Sequence, residues 1–329
     1  MIFFRVNLIK PTPSKRIMTA RQLFLKRESE GNFGKSPEER TPEELIKCGM
    51  INLDKLKGPT SHQVSDYAQK ILGITKAGHS GTLDPQVTGV QPIGLGKATR
   101  VTEFLLTAPK EYVGIMHLHK TVEEKTLRET LQKFVGKISQ LPPIKSAVKR
   151  QIRTREIYEL EIIEIKGQDV LFRVKCQAGT YIRKLCHDLG KDLTIGAHMA
   201  ELRRTQAGPF TEKDRLITLN DLDDAYHFYK EEENDKFLRY CLQPIETAVK
   251  HLPKCWVLDN SVISLTHGRD LGVPGISKLE NFRKGESIAI MTLKGELIAL
   301  GESQLSAVEI NTQEKGLAIK VKKVFMDEL

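Results

Sequence analysis

Caps, glycine stops and the spacing of apolar residues predict several helices. Thr41-Pro42-Glu43-Glu44 is typical of a helix start, because Thr caps, Pro suits the first turn and acids favour the positive end of the helix dipole. Thr60 or Ser61 can cap a second helix, which continues to Leu72 and stops at Gly73. Further helices are predicted for residues 127–135 and 181–189, and an acidic, solvated helix for residues 219–235.

Alternating apolar and polar positions predict a set of strands. The predicted strands cover residues 51–54, 111–119, 156–165, 169–177, 287–293, 296–301 and 316–325. Gly167-Gln168 and Lys294-Gly295 supply turns between neighbouring strands. Between Gly78 and Gly96, five glycines are expected to interrupt any regular element. Helices and strands together predict an α+β protein.

The chain divides into three regions of different texture. Residues 1–44 are predicted to form a basic N-terminal arm, since the first 37 residues carry eight basic and two acidic side chains. Such an arm either lies on phosphates or is disordered. Residues 45–249 are predicted to form the main domain. The short strands and turns that follow indicate a small, separate β-rich domain over residues 250–329.

Composition and charge narrow the class of protein only slightly. The hydrophobic content of 40% is enough to build a core and excludes disorder over all 329 residues. The net charge of +9 suits a nucleic-acid-binding protein and equally a basic enzyme. Five widely spaced cysteines without a C-x-x-C motif argue against a zinc knuckle and favour a reducing, intracellular compartment. Neither a membrane span nor a signal peptide is predicted.

The segment His79-Ser80-Gly81-Thr82-Leu83-Asp84-Pro85 carries the most chemical information. A residue before proline is held in an extended or turn conformation, and glycines let the backbone approach a ligand closely. A carboxylate displayed on such a loop can act as nucleophile or base. An ordinary Asx turn is the alternative for Asp84, because Asp-Pro is a common turn starter.

Followed by Thr88-Gly89-Val90, this segment resembles the catalytic motif of the TruB family of pseudouridine synthases. Four further segments resemble the family's other motifs in the same order, over about residues 45–215. They are Ile51-Asn52-Leu53-Asp54-Lys55, Lys110-Glu111-Tyr112, Gly179-Thr180-Tyr181-Ile182-Arg183, and Leu202-Arg203-Arg204-Thr205 with Gly208-Pro209-Phe210. Two positions depart from the family pattern: Leu56 stands where a proline is usual, and Gln91 where an apolar residue is common.

The C-terminal region is similar to a PUA domain, a small RNA-binding β-barrel. His267-Gly268-Arg269-Asp270-Leu271 and Val273-Pro274-Gly275-Ile276 carry this resemblance. They look most like the archaeal and eukaryotic branch, the dyskerin-like catalytic subunit of H/ACA ribonucleoproteins. The chain lacks the Lys-rich tail usual in eukaryotic members, which favours an archaeal-type protein. The implied fold is a catalytic domain with a mixed, mainly antiparallel sheet, followed by the PUA barrel, on which the N-terminal arm of residues 1–44 can pack.

The resemblance implies roles for three catalytic residues. Asp84 is expected to be the nucleophile, attacking either the sugar or the base. Arg183 is predicted to pair with Asp84, since a permanently charged guanidinium keeps a nearby carboxylate ionised and oriented. Tyr112 is expected to stack on the target base, because a tyrosine pKa of about 10 makes it a poor base at neutral pH. Without the motifs, Arg183 reads as a surface helix charge and Tyr112 as an ordinary strand tyrosine.

Other residues are expected to bind the substrate or RNA. The target uracil must be flipped out of its helix. His79 is expected to fill the vacated space or contact the target strand, with a backbone-bonded loop imidazole as the alternative. Leu202 is expected to pack against the flipped base, or else in the core, and Lys55 to support the site or touch phosphate. The predicted RNA-binding residues are Lys145, Lys149, Arg150, Gly268 and Gly275; a solvated basic face is the alternative for the first three.

The resemblance implies an isomerase that converts uridine to pseudouridine in rRNA or tRNA, with no cofactor and no metal. An H/ACA guide RNA would select the target. The implied protein partners are a small zinc-ribbon-like protein, a Gar-type β-barrel protein and a kink-turn binder, in an archaeal-type cytoplasm. A stand-alone synthase for the T-loop uridine of tRNA is the nearest alternative. A non-catalytic PUA-type RNA-binding scaffold is the alternative from another class.

Overall fold

The computed structural model describes residues 21–142 and 150–327, which fall into two compact units. One unit comprises residues 35–251 without the undescribed stretch, and the other comprises residues 21–34 together with 252–327. In these described ranges, no helix is both long and apolar enough to cross a lipid bilayer.

Both units contain α-helices and β-strands. The α-helices of the described residues are α1 (Pro42–Cys48), α2 (Ser61–Ile71), α3 (Thr102–Thr107), α4 (Glu124–Lys133), α5 (Ile182–Asp192), α6 (Leu219–Glu231), α7 (Lys236–Cys241), α8 (Asp259–Thr266) and α9 (Ala307–Thr312), with 3-10 turns at Pro37–Glu39, Gly96–Val101, Ile245–Val249 and Val273–Gly275. The strands are β1 (Leu23–Leu25), β2 (Gly49–Lys55), β3 (Ala77–His79), β4 (Thr88–Leu95), β5 (Lys110–Leu118), β6 (Gly136–Gln140), β7 (Arg153–Lys166), β8 (Asp169–Cys176), β9 (Ala197–Ala207), β10 (Phe210–Thr211), β11 (Gln243–Pro244), β12 (Lys254–Val257), β13 (Leu271–Gly272), β14 (Ile276–Glu280), β15 (Ser287–Met291), β16 (Leu297–Ser303) and β17 (Leu317–Val324).

The two predicted helix starts are confirmed by reciprocal capping. The Thr41 hydroxyl accepts the backbone N–H of Glu44, while the Glu44 carboxylate accepts the N–H of Thr41. Thr60 and Gln63 cap α2 in the same way. Each exchange satisfies backbone donors that the first turn leaves without an intrahelical acceptor. These ends were predictable because a capping box lies within four consecutive residues.

The larger unit is built on a mixed, mainly antiparallel sheet, as the resemblance implied. Its strand order is β11-β2-β4-β9-β5-β8-β7-β6, with β3 paired to β4 and β10 to β9. The β4–β9 pair is parallel, and the other named strand pairs of this sheet are antiparallel. The predicted strand pair around Gly167-Gln168 is confirmed as β7 and β8.

The prediction that glycines break the chain between residues 78 and 96 is wrong. This stretch contains β3 and β4, and β4 is buried over almost its whole length. Gly89 shows the reason: a Cβ there would lie 2.2 Å from the carbonyl oxygen of Arg204 on β9. Gly94 is also constrained, since a Cβ would lie 2.6 Å from the Ala98 oxygen. The glycines allow close packing of a central strand.

The acidic segment 219–235 is only partly the solvated helix that its composition predicted. It contains α6, whose Leu222 and Ala225 are buried in an apolar cluster together with residues of α2 and β2. The acidic side chains occupy the other face of the helix. The acidic composition reflects only the exposed face of α6, whereas the few apolar residues of the other face determine how the helix packs.

The smaller unit is a β-rich module around its own core. The sheet order is β1-β14-β12-β15-β16-β17-β13, and the three strands predicted after residue 286 are confirmed as β15, β16 and β17. Its buried apolar cluster joins these strands to α8 and α9. Residues 23–25 add β1 to the edge of this sheet by pairing with residues 278–280.

Candidate active site

The predicted pairing of Asp84 with Arg183 is confirmed. Arg183 lies in the first turn of α5, and its Nη2 donates to Asp84 Oδ2 at 2.8 Å. Both side chains are more than half exposed, at 58% for Asp84 and 60% for Arg183. A guanidinium at this distance orients a carboxylate while leaving it open to a ligand from solvent.

The loop that carries Asp84 is held from beneath by backbone and side-chain contacts. A backbone hydrogen bond from Val87 N–H to Asp84 O, 2.9 Å long, closes the turn, so the Asp84 carboxylate is left for Arg183. The hydroxyl of Ser61, at the start of α2, accepts the Leu83 N–H at 2.8 Å. The loop therefore displays its carboxylate from a fixed backbone, which a plain Asx turn would not explain.

Lys55 supports this loop from inside the protein. Its side chain is fully buried at the end of β2, and its Nζ donates to the carbonyl oxygens of Val87 at 2.9 Å, Leu56 at 3.1 Å and Pro85 at 3.3 Å. Burial lowers the pKa of Lys55, and the nearby Asp84 carboxylate opposes that shift. The three backbone carbonyl oxygens accept hydrogen bonds from the ammonium group of Lys55. This arrangement favours a role in supporting the loop over contact with an RNA phosphate.

Arg204 is the functional candidate that the sequence analysis missed. Its guanidinium is fully buried beneath the loop and donates from Nε to Val90 O at 2.7 Å. Its Nη2 lies 3.4 Å from both Gly81 O and Gln91 Oε1. Burial lowers the pKa of Arg204. One side chain of β9 thus contacts the chain on both sides of the loop that carries Asp84.

The same network explains the polar residue at position 91. Gln91 is fully buried, where the family commonly has an apolar side chain. Its amide nitrogen donates to Gly81 O at 3.1 Å, and its Oε1 lies 3.1 Å from the Ser61 hydroxyl. Because these polar atoms are satisfied, burying Gln91 costs little.

Tyr112 stands beside Arg204 on the neighbouring strand. The register of β5 and β9 places the two residues directly opposite each other, which puts their side chains on one face of the sheet. Burial raises the pKa of Tyr112, and the Arg204 guanidinium opposes the rise. A neutral phenol at physiological pH agrees with positioning of a base better than with proton abstraction.

Leu202 is half-buried and shares a face with Arg204, two residues along β9. It lies opposite Gly114, where a Cβ would come within 2.8 Å of its Cδ1. Leu202 and Tyr112 both pack against the edge of the same apolar cluster. The described contacts show the core packing of Leu202, and its contact with a flipped base stays a prediction.

His79 lies at the end of β3 with a second histidine that the sequence analysis did not single out. Its Nε2 is 3.4 Å from His62 Nδ1, and the two rings meet edge to face. Within the described residues, His79 Nδ1 is buried and has no hydrogen-bond partner. Burial lowers the pKa of His79, and His62 and then Arg204 add to the shift. The backbone-bonded alternative for His79 is not what the described contacts provide.

The structure describes three of the five predicted RNA-binding residues. Lys145 and Lys149 lie outside the described residues, and Arg150 is exposed. Gly268 and Gly275 belong to the smaller unit. Gly268 has a positive φ of 78° in open space, and Gly275 is packed against Ser261, whose Oγ would lie 2.4 Å from an added Cβ.

Four family models match the chain. They are "TruB family pseudouridylate synthase (N terminal domain)" over residues 69–182, "tRNA pseudouridylate synthase B C-terminal domain" over residues 183–250, "PUA domain" over residues 253–325 and "DKCLD (NUC011) domain" over residues 17–65. Together these models span both units of the structure.

Relatives and solved structures agree with these models. "Probable tRNA pseudouridine synthase B" of Methanothermobacter thermautotrophicus is 54% identical over 90% of this chain and 91% of its own length, and that of Pyrococcus furiosus is 53% identical over 91% and 88%. A structure described as "Crystal Structure of a Cbf5-Nop10-Gar1 Complex" has a TM-score of 0.90 at 51% identity, covering 94% of this chain and 95% of its own. One described as "Structure of H/ACA RNP bound to a substrate RNA containing 2'-deoxyuridine" has a TM-score of 0.88 at 49% identity, covering 94% and 95%. The chain belongs to the TruB family of pseudouridine synthases, in its archaeal-type, dyskerin-like branch.

Proposed function

We propose that this enzyme isomerises uridine within tRNA or rRNA under the direction of an H/ACA guide RNA, with Asp84 as the catalytic carboxylate. The observation that carries the proposal is the exposed Asp84 carboxylate held at 2.8 Å by Arg183 above a rigidly anchored loop. The reaction breaks the bond between N1 and C1′, and forms one between C5 and C1′. C5 loses a proton and N1 gains one, so atoms balance without an oxidant or hydrolysis.

The remaining side chains suit the handling of a flipped base. Tyr112 and Leu202 offer an aromatic and an aliphatic surface on one face of the sheet, which matches stacking of an extruded uracil. The buried Arg204 is close enough to His79 for its charge to contribute to the lowered pKa of that imidazole. A neutral imidazole has one donor and one acceptor nitrogen, so His79 can bond a nucleotide that reaches its ring.

Asp84→Ala is expected to abolish conversion and to leave RNA binding unchanged. Conversion is measured in a single turnover by release of tritium from C5 of labelled uridine, and binding by filter retention of the same RNA. Asp66→Ala, at an exposed position on α2, is the matched control and should convert at the wild-type rate. Normal turnover by the Asp84→Ala enzyme would remove the catalytic assignment.

The guide and the partner proteins enter this proposal through the two solved structures. One holds proteins named Nop10 and Gar1, and the other is an H/ACA ribonucleoprotein with substrate RNA. For this chain we propose the corresponding set: a guide RNA, a zinc-ribbon-like protein, a Gar-type protein and a kink-turn binder. The PUA domain, with Gly268 and Gly275, would hold the end of the guide, and Lys145, Lys149 and Arg150 would contact RNA phosphates. We place the assembly in the cytoplasm.

Reconstitution separates the guided reaction from the stand-alone one. The enzyme is given a tRNA transcript alone, then a target with its matching guide RNA, and then both with the three partner proteins. Conversion that moves to a new uridine when the guide sequence changes supports guidance. Conversion confined to the T-loop uridine, with no response to guide RNA, would support the stand-alone alternative. The relatives' name, "Probable tRNA pseudouridine synthase B", agrees with that alternative.

A further inference from the structure

A row of histidines crosses the sheet at the end far from the active site. His117 on β5 is directly opposite His198 on β9 and directly opposite Asp169 on β8. His119 lies two residues farther along, just beyond β5, and its N–H still bonds Gly196 O at 3.0 Å. Residues opposite each other, and those two apart on a strand, share one face of a sheet. The register therefore gathers three imidazoles and one carboxylate.

The spacing of the three rings is close to that of imidazoles around one metal ion. The ring centroids of His198 lie 5.3 Å from those of both His117 and His119, and the His117–His119 separation is 6.4 Å. Around a zinc ion with Zn–N bonds of about 2.1 Å, the centroids of tetrahedrally placed imidazoles are about 5.2 Å apart. Two of the three separations already match that value, and the third exceeds it by little more than one ångström.

Asp169 occupies the place of a supporting carboxylate. Its Oδ1 is 2.7 Å from His117 Nδ1, and its side chain is 13% exposed. A histidine that binds metal commonly donates its other ring N–H to a carboxylate, which fixes its tautomer and orientation. The two nitrogens of an imidazole point about 144° apart, so His117 Nε2 is directed away from β8 and toward β9.

In the structure, the rings of His119 and His198 contact each other at the position that a metal ion would occupy. His119 Nε2 and His198 Nδ1 are 3.0 Å apart, and in the described part of the chain no three such side chains already enclose a common centre. Two nitrogens bound to one tetrahedral ion are about 3.4 Å apart. Binding would replace one weak contact by two metal–nitrogen bonds after a small rotation of exposed rings.

The geometry points to a divalent transition-metal site formed by His117, His119 and His198, with Asp169 orienting His117. Imidazole ligands favour zinc, cobalt, nickel or copper over magnesium or calcium. Tyr112 is five residues away along β5, about 17 Å, so the site is separate from the catalytic carboxylate. An ion there would tie together the exposed ends of β5 and β9 and leave one coordination position for water or another ligand.

The test uses cobalt binding to the untagged, full-length enzyme. Four-coordinate Co²⁺ has a strong visible absorption, and we expect it to saturate at one equivalent and to disappear when Zn²⁺ is added. His119→Asn and His198→Gln should each weaken binding by at least about tenfold, and Asp169→Asn by about tenfold. His227→Asn, an exposed histidine on α6, is the control and should bind as the wild type does.

Thermal melting without metal checks that the ligand variants are folded, which their exposed positions favour. Pseudouridine formation should be unchanged in them, because five residues of β5, about 17 Å, separate the histidine row from Tyr112. The inference fails if the wild-type enzyme gives no saturable cobalt spectrum. It also fails if folded variants at positions 119 and 198 bind Co²⁺ as tightly as the wild type.

Discussion

Arg204→Lys tests whether the buried guanidinium positions the catalytic loop. Lysine keeps the positive charge but has one donor group at the end of a flexible stem, whereas Arg204 reaches three acceptors from a planar fork. The contact to Val90 O is short at 2.7 Å, and those to Gly81 O and Gln91 Oε1 are longer at 3.4 Å. The substitution therefore removes a fixed brace without removing the charge.

The size of the effect follows from the burial of this network. A hydrogen bond from a charged donor is worth about 1.5–3 kcal/mol, and the two longer contacts add less. We expect Arg204→Lys to lower the free energy of unfolding by about 2–4 kcal/mol. Gly81 O and Gln91 Oε1 keep their contacts with Gln91 Nε2 and Ser61 Oγ, which limits the loss.

The effect on catalysis should exceed the effect on RNA binding. A misplacement of about 1 Å in a catalytic group costs about a hundredfold in rate, so we expect kcat to fall by roughly 10–100-fold. KM and RNA affinity should stay within about threefold, because Arg204 is buried beneath the loop. Urea unfolding measures stability, and single-turnover tritium release measures the chemical step at a temperature where the variant is fully folded.

Arg203→Lys is the matched control on the adjacent position of β9. Arg203 is about one-third exposed and donates to both oxygens of Asp54 at 2.9 Å and to Glu212, so its replacement should cost about 1–2 kcal/mol, less than that of the buried Arg204. A folded Arg204→Lys enzyme with wild-type kcat would refute the positioning argument. Equal losses of kcat from the two substitutions, both of which keep the positive charge, would show that the site does not depend specifically on the buried fork of Arg204.

Three further substitutions test other parts of the site and fold. Arg183→Lys should change the free energy of unfolding by no more than about 0.5 kcal/mol, because the ion pair with Asp84 is exposed. The rate of conversion should nevertheless fall at least tenfold. A loss of stability that matches the loss of activity would contradict a catalytic placement of Arg183. Gly89→Ala should lower the free energy of unfolding, measured in urea, by more than about 3 kcal/mol. Gly167→Ala is the control and should cost about 1–2 kcal/mol, because its added Cβ meets nothing within 4 Å. Similar costs for the two substitutions would contradict the close strand packing at Gly89. Burial lowers the pKa of Lys110 to about 8, so the unfolded chain binds more protons than the folded one between that pH and the ordinary lysine pKa. The unfolding free energy of the wild type should therefore rise relative to Lys110→Met from about pH 8 to about pH 10.5, and a flat or falling difference would contradict the shift.

The sequence predicted features that are encoded by neighbouring residues. Capping at Thr41 and Thr60 and the turn at Gly167-Gln168 each depend on a few consecutive positions, and each is confirmed. The order of the motifs around Asp84 was also sufficient to indicate the family. The pairing of Asp84 with Arg183 was predictable only through that resemblance, since 99 residues separate them.

The position of Arg204 could not be derived in the same way. It follows from the parallel pairing of β4 with β9 and from the close approach that Gly89 allows. Residue type alone does not distinguish the two arginines of the closing motif. In the structure, Arg203 is bound to Asp54 near the surface, whereas Arg204 is fully buried. Alternation along β9 separates the two side chains onto opposite faces, but β9 had not been predicted as a strand.

The histidine row also combines a feature visible in the sequence with one that only the tertiary structure shows. The sequence supplies His117, His119 and His198 as isolated residues, and it determines by local pattern only that the first two share a face of one strand. The register of β8, β5 and β9 decides that Asp169 and His198 meet them. The sequence by itself determined caps, turns, motif order and family, because these depend on short stretches of chain. The tertiary structure decided which strands are neighbours and which charges are buried, because pairing register and burial are settled by residues distant along the chain.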